Sequence, residues 1–253
     1  MKENKYVMGL VSVSFRQHTP EEIVKAAKTE GLSCIEWGSD VHAPCNDNDK
    51  LQEIVALQQE YGIECSSYGT YFRFGVNKTE ELADYIKAAK ILGTDILRLW
   101  CGTKGSQEYT NQEKDALFAD CKTAAEIAEK QGVKLCMECH KGTYTDTIEG
   151  AVELMEYVNS PAFRMYWQPF QWQKIEQNLI YAETIAPYVE HIHVFQWKDK
   201  EHFSLKEGIE EWQAYLSKFN NNPKLLLEFM PDDRIESLKT ETEMLRIITG
   251  EQK

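Results

Sequence analysis

Four residues with metal-binding chemistry recur along this chain at steps of 30, 25 and 35 residues: Glu138, Gln168, His193 and Glu228. Each lies at or near the end of a short, largely apolar run: "KLCMECH", "RMYWQP", "HIHVF" and "LLLEF". Steps of this size match one strand plus one helix, so consecutive strands would aim the four side chains at a common point. Two carboxylates, an amide oxygen and an imidazole nitrogen form the mixed donor set that one divalent ion, Mn, Co, Zn or Mg, accepts. Further polar residues stand at comparable places. Glu36 closes an earlier run, Arg98 and Trp100 another, and His140 and Gln171 follow Glu138 and Gln168.

The stretch "CMECH" at 136–140 invites other readings. Cys-x-x-Cys-His is a haem attachment pattern, and Cys-x-x-Cys alone suggests a redox pair or zinc. If the stretch is a strand, Cys136, Glu138 and His140 face one way and Cys139 the other. The two sulfurs could then neither close a disulfide nor grip one ion. Seven cysteines, at 34, 45, 65, 101, 121, 136 and 139, are odd in number and scattered. That usage implies reduced thiols and a cytoplasmic location. The N-terminus, "MKENKYVMGLVSVSF", has two lysines and then a short run interrupted by Ser12 and Ser14, unlike a signal peptide.

The elements that must position these residues alternate along the whole chain. "VMGLVSVSF" reads as a strand. "TPEEIVKAAKTEG" follows as a helix, with Thr19 as N-cap, Pro20 at N1 and Glu22 at N3, a capping box. "LSCIEWG", "IECSSYGTYF", "DILRLW", "VKLCMECH", "FRMYWQP", "EHIHVFQW" and "PKLLLEFM" read as the remaining strands. Helical patterns separate them, the clearest being "KTEELADYIKAAKILG", with Leu82, Ile86 and Ala89 on one face. Eight strand–helix units in 253 residues give the arithmetic of an α/β fold, a (β/α)8 TIM barrel, as a single domain over 1–253. A doubly wound sheet would usually carry a Gly-rich turn after the first strand, and "SFRQHTP" has none. In such a barrel the site lies at the C-terminal strand ends, where the polar residues above fall.

A formal net charge of −13 without a basic stripe speaks against nucleic acid as partner. No apolar run approaches the roughly 18 residues of a membrane span.

Taken together, the chain resembles the sugar phosphate isomerase/epimerase superfamily of xylose isomerase-like barrels. The resemblance rests on the Glu of "LCMECHKGT", the acceptor of "YWQPFQ", the second His of "HIHVF" and the Glu of "LLLEF". It implies one divalent metal on Glu138, Gln168, His193 and Glu228, with Glu138 and Glu228 as the acid–base pair. The implied activity is isomerisation or epimerisation of a ketose or keto-sugar through an enediolate. Dehydration of a keto-sugar on the same site is the alternative enzyme, and a sugar-binding barrel without catalysis is the alternative outside enzymes. Relatives carry Asp-x-x-His on strand six, where this chain has Gln168 and Gln171. A neutral amide leaves the ligand set one negative charge short. The resemblance also allows a homo-oligomer.

Around that centre, His140 is placed to meet a substrate hydroxyl. Arg98 either binds substrate or pairs with Glu36. Trp100 and Trp197 offer surfaces for a sugar ring, Lys198 after the seventh strand is placed to meet a substrate carbonyl or hydroxyl, and Glu36 and Gln171 are further candidates for substrate contact. The loops "WKDKEHF" and "MPDDR" are mixed or acidic and poor in glycine, which points to an unphosphorylated sugar or polyol as partner.

Overall fold

A computed structural model describes residues 6–198 and 200–251. Eight parallel strands close into a barrel: β1 (Met8–Val11), β2 (Cys34–Gly38), β3 (Glu64–Phe74), β4 (Ile96–Cys101), β5 (Lys134–Glu138), β6 (Phe163–Trp167), β7 (Val189–Val194) and β10 (Lys224–Leu227). Neighbours in sequence are neighbours in the sheet, and β10 pairs with β1 to close it. Eight helices pack outside: α1 (Pro20–Thr29), α2 (Asn48–Tyr61), α3 (Leu82–Leu92), α4 (Asn111–Gln131), α5 (Ile148–Val158), α6 (Ile175–Ile185), α7 (Ile209–Leu216) and α8 (Leu238–Thr249). The protein is thus a (β/α)8 TIM barrel. Among the described residues no helix is long and apolar enough to cross a membrane.

Local chemistry sets the boundaries. The Thr19–Glu22 capping box starts α1 with Pro20 in its first turn, and Thr110 and Glu113 start α4 in the same way. Where strands were read too long, backbone geometry stops them. β1 ends at Val11, and Ser12–Phe15 turn into a 3-10 segment. β5 ends at Glu138, so strand alternation does not extend to His140. The run "EHIHVFQW" divides: β7 ends at Val194, and Gln196–Lys198 (β8) fold back antiparallel on Glu201–Phe203 (β9). That hairpin stands outside the barrel sheet.

The barrel wall separates two apolar regions. Val11, Cys34, Ile96, Cys136, Tyr166 and Leu226 belong to a small inner cluster. The large core lies between strands and helices and includes Trp37, Trp167 and Trp212, all fully buried. Each such large side chain contributes about 1.5–3 kcal/mol by leaving water. Cys136 joins the inner cluster and Cys139 the outer core, and both thiols are free. Their separation by the wall removes the redox, zinc and haem readings of "CMECH".

Candidate active site

Above the inner apolar cluster lies a layer of buried charge. Arg98, on β4, reaches both neighbouring carboxylates: Nε donates to Glu36 Oε1 at 2.6 Å and Nη1 to Glu138 Oε2 at 2.6 Å. Glu36 is fully buried, and Arg98 and Glu138 nearly so. Gly69 makes room for this guanidinium, since a Cβ there would lie 2.7 Å from Arg98 Nη2. Ser67 Oγ donates to Glu36 Oε2 at 2.9 Å, and Trp100 Nε1 donates to Glu138 Oε2 at 2.7 Å. Arg98 therefore pairs with Glu36, as one of its two readings had it, and with Glu138 as well.

His193, fully buried on β7, is the hub of the layer. Its Nε2 lies 3.4 Å from Glu36 Oε2. Its Nδ1 faces three oxygens: Gln168 Oε1 at 3.1 Å, Glu228 Oε2 at 3.3 Å and Glu138 Oε1 at 3.7 Å. Burial opposes the charge on Glu36 and Glu138, yet Arg98 and His193 outweigh it and hold both carboxyls far below the usual range. Burial pushes Glu228 upward, and Glu138 adds to this against the pull of His193. Burial also disfavours the imidazolium of His193, but Glu228 and Glu36 lift it to about 10. The surrounding carboxylates thus favour positive charge in their midst.

The donor set suits a divalent ion for the same reason. Donors about 2.1 Å from a shared ion lie about 3.0–3.5 Å from one another, close to the separations around Nδ1. Among the described residues no three His, Cys, Asp or Glu side chains are arranged to hold a metal ion as they stand. The nearest partner of Nδ1 is an amide, and Glu138 is the most distant of the three oxygens. In donor chemistry Glu138, Gln168, His193 and Glu228 nevertheless fit. Glu36 would hold the Nε2 proton and leave the Nδ1 lone pair for the ion.

A cavity of about 580 Å³ opens over this layer at the C-terminal end of the barrel. Arg98, Trp100, His140, Gln171 and Trp197 line it together with Glu138, Gln168 and Glu228. Glu36 does not; it lies beneath the floor, holding His193 and Arg98. Lys198 is also off the cavity wall, exposed on the hairpin with Nζ 3.9 Å from Glu211. His191 sits deeper, with Nε2 against the Ser66 carbonyl.

Sequence reading missed several wall residues. Arg16 follows β1 and is braced by Asp40, at 2.8 Å from Nε, and by the Val13 carbonyl. Its Nη2 donates to the hydroxyl of Tyr71. The rule that strand ends carry function, applied to the first strand, would have found Arg16. Tyr71 has a φ of 58°, and Phe229, the residue after Glu228, one of 54°. Bulky residues rarely adopt such angles. Phe229 packs with Trp197 and His202, which attaches the hairpin to the mouth.

The chain is 24% identical over 203 residues to a 3-dehydroshikimate dehydratase of Bacillus anthracis, covering 73% of this chain and 70% of that one. Its structure is similar to that of the probable 3-DHS dehydratase AsbF involved in petrobactin synthesis, from the same organism. The TM-score is 0.79 at 16% identity, with 95% of this chain and 98% of that one covered. It is also similar to D-psicose 3-epimerase from Clostridium cellulolyticum H10, solved with D-tagatose. There the TM-score is 0.69 at 13% identity, over 95% and 97% of the two chains. A family match runs through residues 24–248, from the first helix to the last, and by it the chain belongs to the xylose isomerase-like TIM barrels.

Proposed function

We propose that this barrel isomerises or epimerises a ketose or keto-sugar by moving a proton on the carbon next to the carbonyl. One observation carries the reading: carboxylates from β5 and from the end of β10 both line the cavity and both approach the same nitrogen of His193, which is buried beneath its floor. A carbonyl compound seated there has one carboxylate from each side. Glu138, kept ionised by Arg98, takes the proton through Oε1. Glu228, where burial favours the protonated form, returns one from the β10 side. A divalent ion held by Glu138, Gln168, His193 and Glu228 would polarise the carbonyl and stabilise the enediolate. Glu36 orients His193, and the aromatic walls exclude water and offer faces to a ring.

A second reading is a dehydratase on the same residues, in which loss of a β-hydroxyl as water follows proton removal. It is favoured by the similarity to 3-dehydroshikimate dehydratase over most of both chains. The two share their first step and differ in product.

The test is incubation with D-tagatose, D-fructose and 3-dehydroshikimate in D2O, with Mn2+, Co2+, Mg2+ or Zn2+ added in turn. The reading expects solvent deuterium in one of these compounds or its product, lost in the Glu138→Gln and Glu228→Gln variants. A new sugar epimer or isomer supports the first reading and water loss the second. Absence of both exchange and water loss from the whole panel with every ion would remove both.

A further inference from the structure

We infer that Trp100 is a positioning residue that, with Arg98, restricts Glu138 to one working oxygen. The inference deepens the proposed function and rests on its ion-holding site. It also gives Trp100 a different task from the ring-stacking surface suggested by its aromatic side chain.

A carboxylate oxygen offers two lone pairs. Glu138 Oε2 receives two donors, Arg98 Nη1 at 2.6 Å and Trp100 Nε1 at 2.7 Å. Both are short, charge-assisted bonds, and together they occupy that oxygen. Oε1 lies 3.7 Å from His193 Nδ1. Glu138 therefore has to meet both the ion and the substrate proton through the two lone pairs of Oε1 while Oε2 stays anchored.

The anchor is itself held. Arg98 cannot swing away, because its Nε is bonded to buried Glu36. The indole of Trp100 lies under the Arg73 guanidinium, 4.6 Å from its centroid. Arg73 is tied in turn to the Gly102 carbonyl at 2.8 Å. Tyr71 meets Trp100 edge-on at 5.2 Å and His140 lies at 5.3 Å. A ring packed this closely on several sides suits a fixed N–H donor better than an open platform for a sugar.

Removing the N–H while keeping a ring separates these roles. The experiment titrates the purified full chain with Mn2+ by calorimetry, in wild type and in Trp100→Phe, Arg73→Met and Trp172→Phe. Trp172 lines the same cavity but is stacked on Phe170. Trp100→Phe is expected to weaken Mn2+ binding about tenfold or more, the usual effect of losing a group behind a metal ligand. Trp172→Phe should stay within twofold, and Arg73→Met should fall between. Infrared difference spectra give the readout that a merely structural role would not move. On Mn2+ binding the wild type should show a one-oxygen carboxylate signature that becomes two-oxygen in Trp100→Phe.

A folded Trp100→Phe protein with wild-type affinity and an unchanged carboxylate signature would overturn the inference and leave the proposed function standing. If that variant does not fold, Arg73→Met decides, and wild-type affinity there overturns it equally. A wild type that binds no Mn2+ overturns both the inference and the ion-holding site.

Discussion

Glu36 Oε2 and His193 Nε2 lie 3.4 Å apart beneath the cavity floor, and this contact decides which imidazole nitrogen faces the site. With Nε2 turned to a carboxylate held by Arg98 and Ser67, Nδ1 is left facing Gln168, Glu228 and Glu138. Glu36→Ala should therefore act twice. It leaves Arg98 with one carboxylate instead of two, a loss of about 3–5 kcal/mol for a broken buried pair. It also releases the His193 ring, which should lower divalent-ion affinity about 10–100-fold. Melting curves and Mn2+ titration check the two effects separately. A variant as stable as wild type and equally able to bind Mn2+ would contradict this account of Glu36.

Gln168 sets the charge of the candidate ion site. Gln168→Asp replaces a neutral oxygen beside His193 Nδ1 with a charged one. Mn2+ binding should tighten about tenfold or more, because a full charge a few ångströms away in a poorly solvated site is worth several kcal/mol before desolvation. The ion-free protein should melt earlier, since the new carboxylate adds a further buried negative charge around His193, which Glu36, Glu138 and Glu228 already share. Tighter binding with a lower ion-free melting point is the expected signature. Unchanged affinity would mean that position 168 does not touch the ion.

These two residues show what the sequence made legible. The alternation of strand and helix runs through the whole chain, so the barrel and the strand ends followed, and His193 and Gln168 met because each lies one unit from the next. Arg98 bridging Glu36 and Glu138 was only half visible. Its two partners lie 62 and 40 residues away, and barrel closure determines which carboxylates face the guanidinium. The β8–β9 hairpin was hidden because "EHIHVFQW" is uniformly strand-forming, and only the pairing with Glu201–Phe203 divides it. Tyr71 carried no mark at all, since nothing in "YGTYF" announces a positive φ at the tyrosine.

The far end of the barrel gives a pH dependence unrelated to the candidate site. Glu190 sits between Lys134 Nζ and Arg164 Nε, each at 2.9 Å. Burial opposes its charge, but Lys134 and then Arg164 hold its carboxyl below the usual range. A lowered folded value means that the stabilisation is present above the unfolded value of about 4.3 and is lost as pH falls through the folded one. Glu190→Gln should lose about 1 kcal/mol at pH 7, in keeping with a partly exposed pair. Denaturant melts from pH 7 to pH 3 should show the gap to wild type closing below about pH 4. A gap that stays constant through that range would mean the carboxylate charge is not what stabilises this end.

Tyr71 offers a test at the cavity mouth. Its ring touches Trp100 and packs against the inner cluster, and its backbone holds a left-handed conformation within an irregular stretch of β3. Such conformations, costing about 1–3 kcal/mol, persist where the surrounding structure enforces them, often at functional sites. Arg16 donates to the phenol oxygen of this cavity-lining residue, which leaves the hydroxyl its own hydrogen to offer a substrate. Burial, opposed by Arg98, keeps the phenol proton on at neutral pH. Tyr71→Phe preserves the ring contacts and removes that donor. Its melting point should stay close to that of wild type, while solvent-deuterium incorporation into the active compound slows about tenfold, the scale of one lost hydrogen bond to substrate. Tyr71→Ala, which also removes the ring against Trp100, should slow it further and lower the melting point. Equal incorporation rates in wild type and Tyr71→Phe would assign the strained backbone to packing of the ring alone.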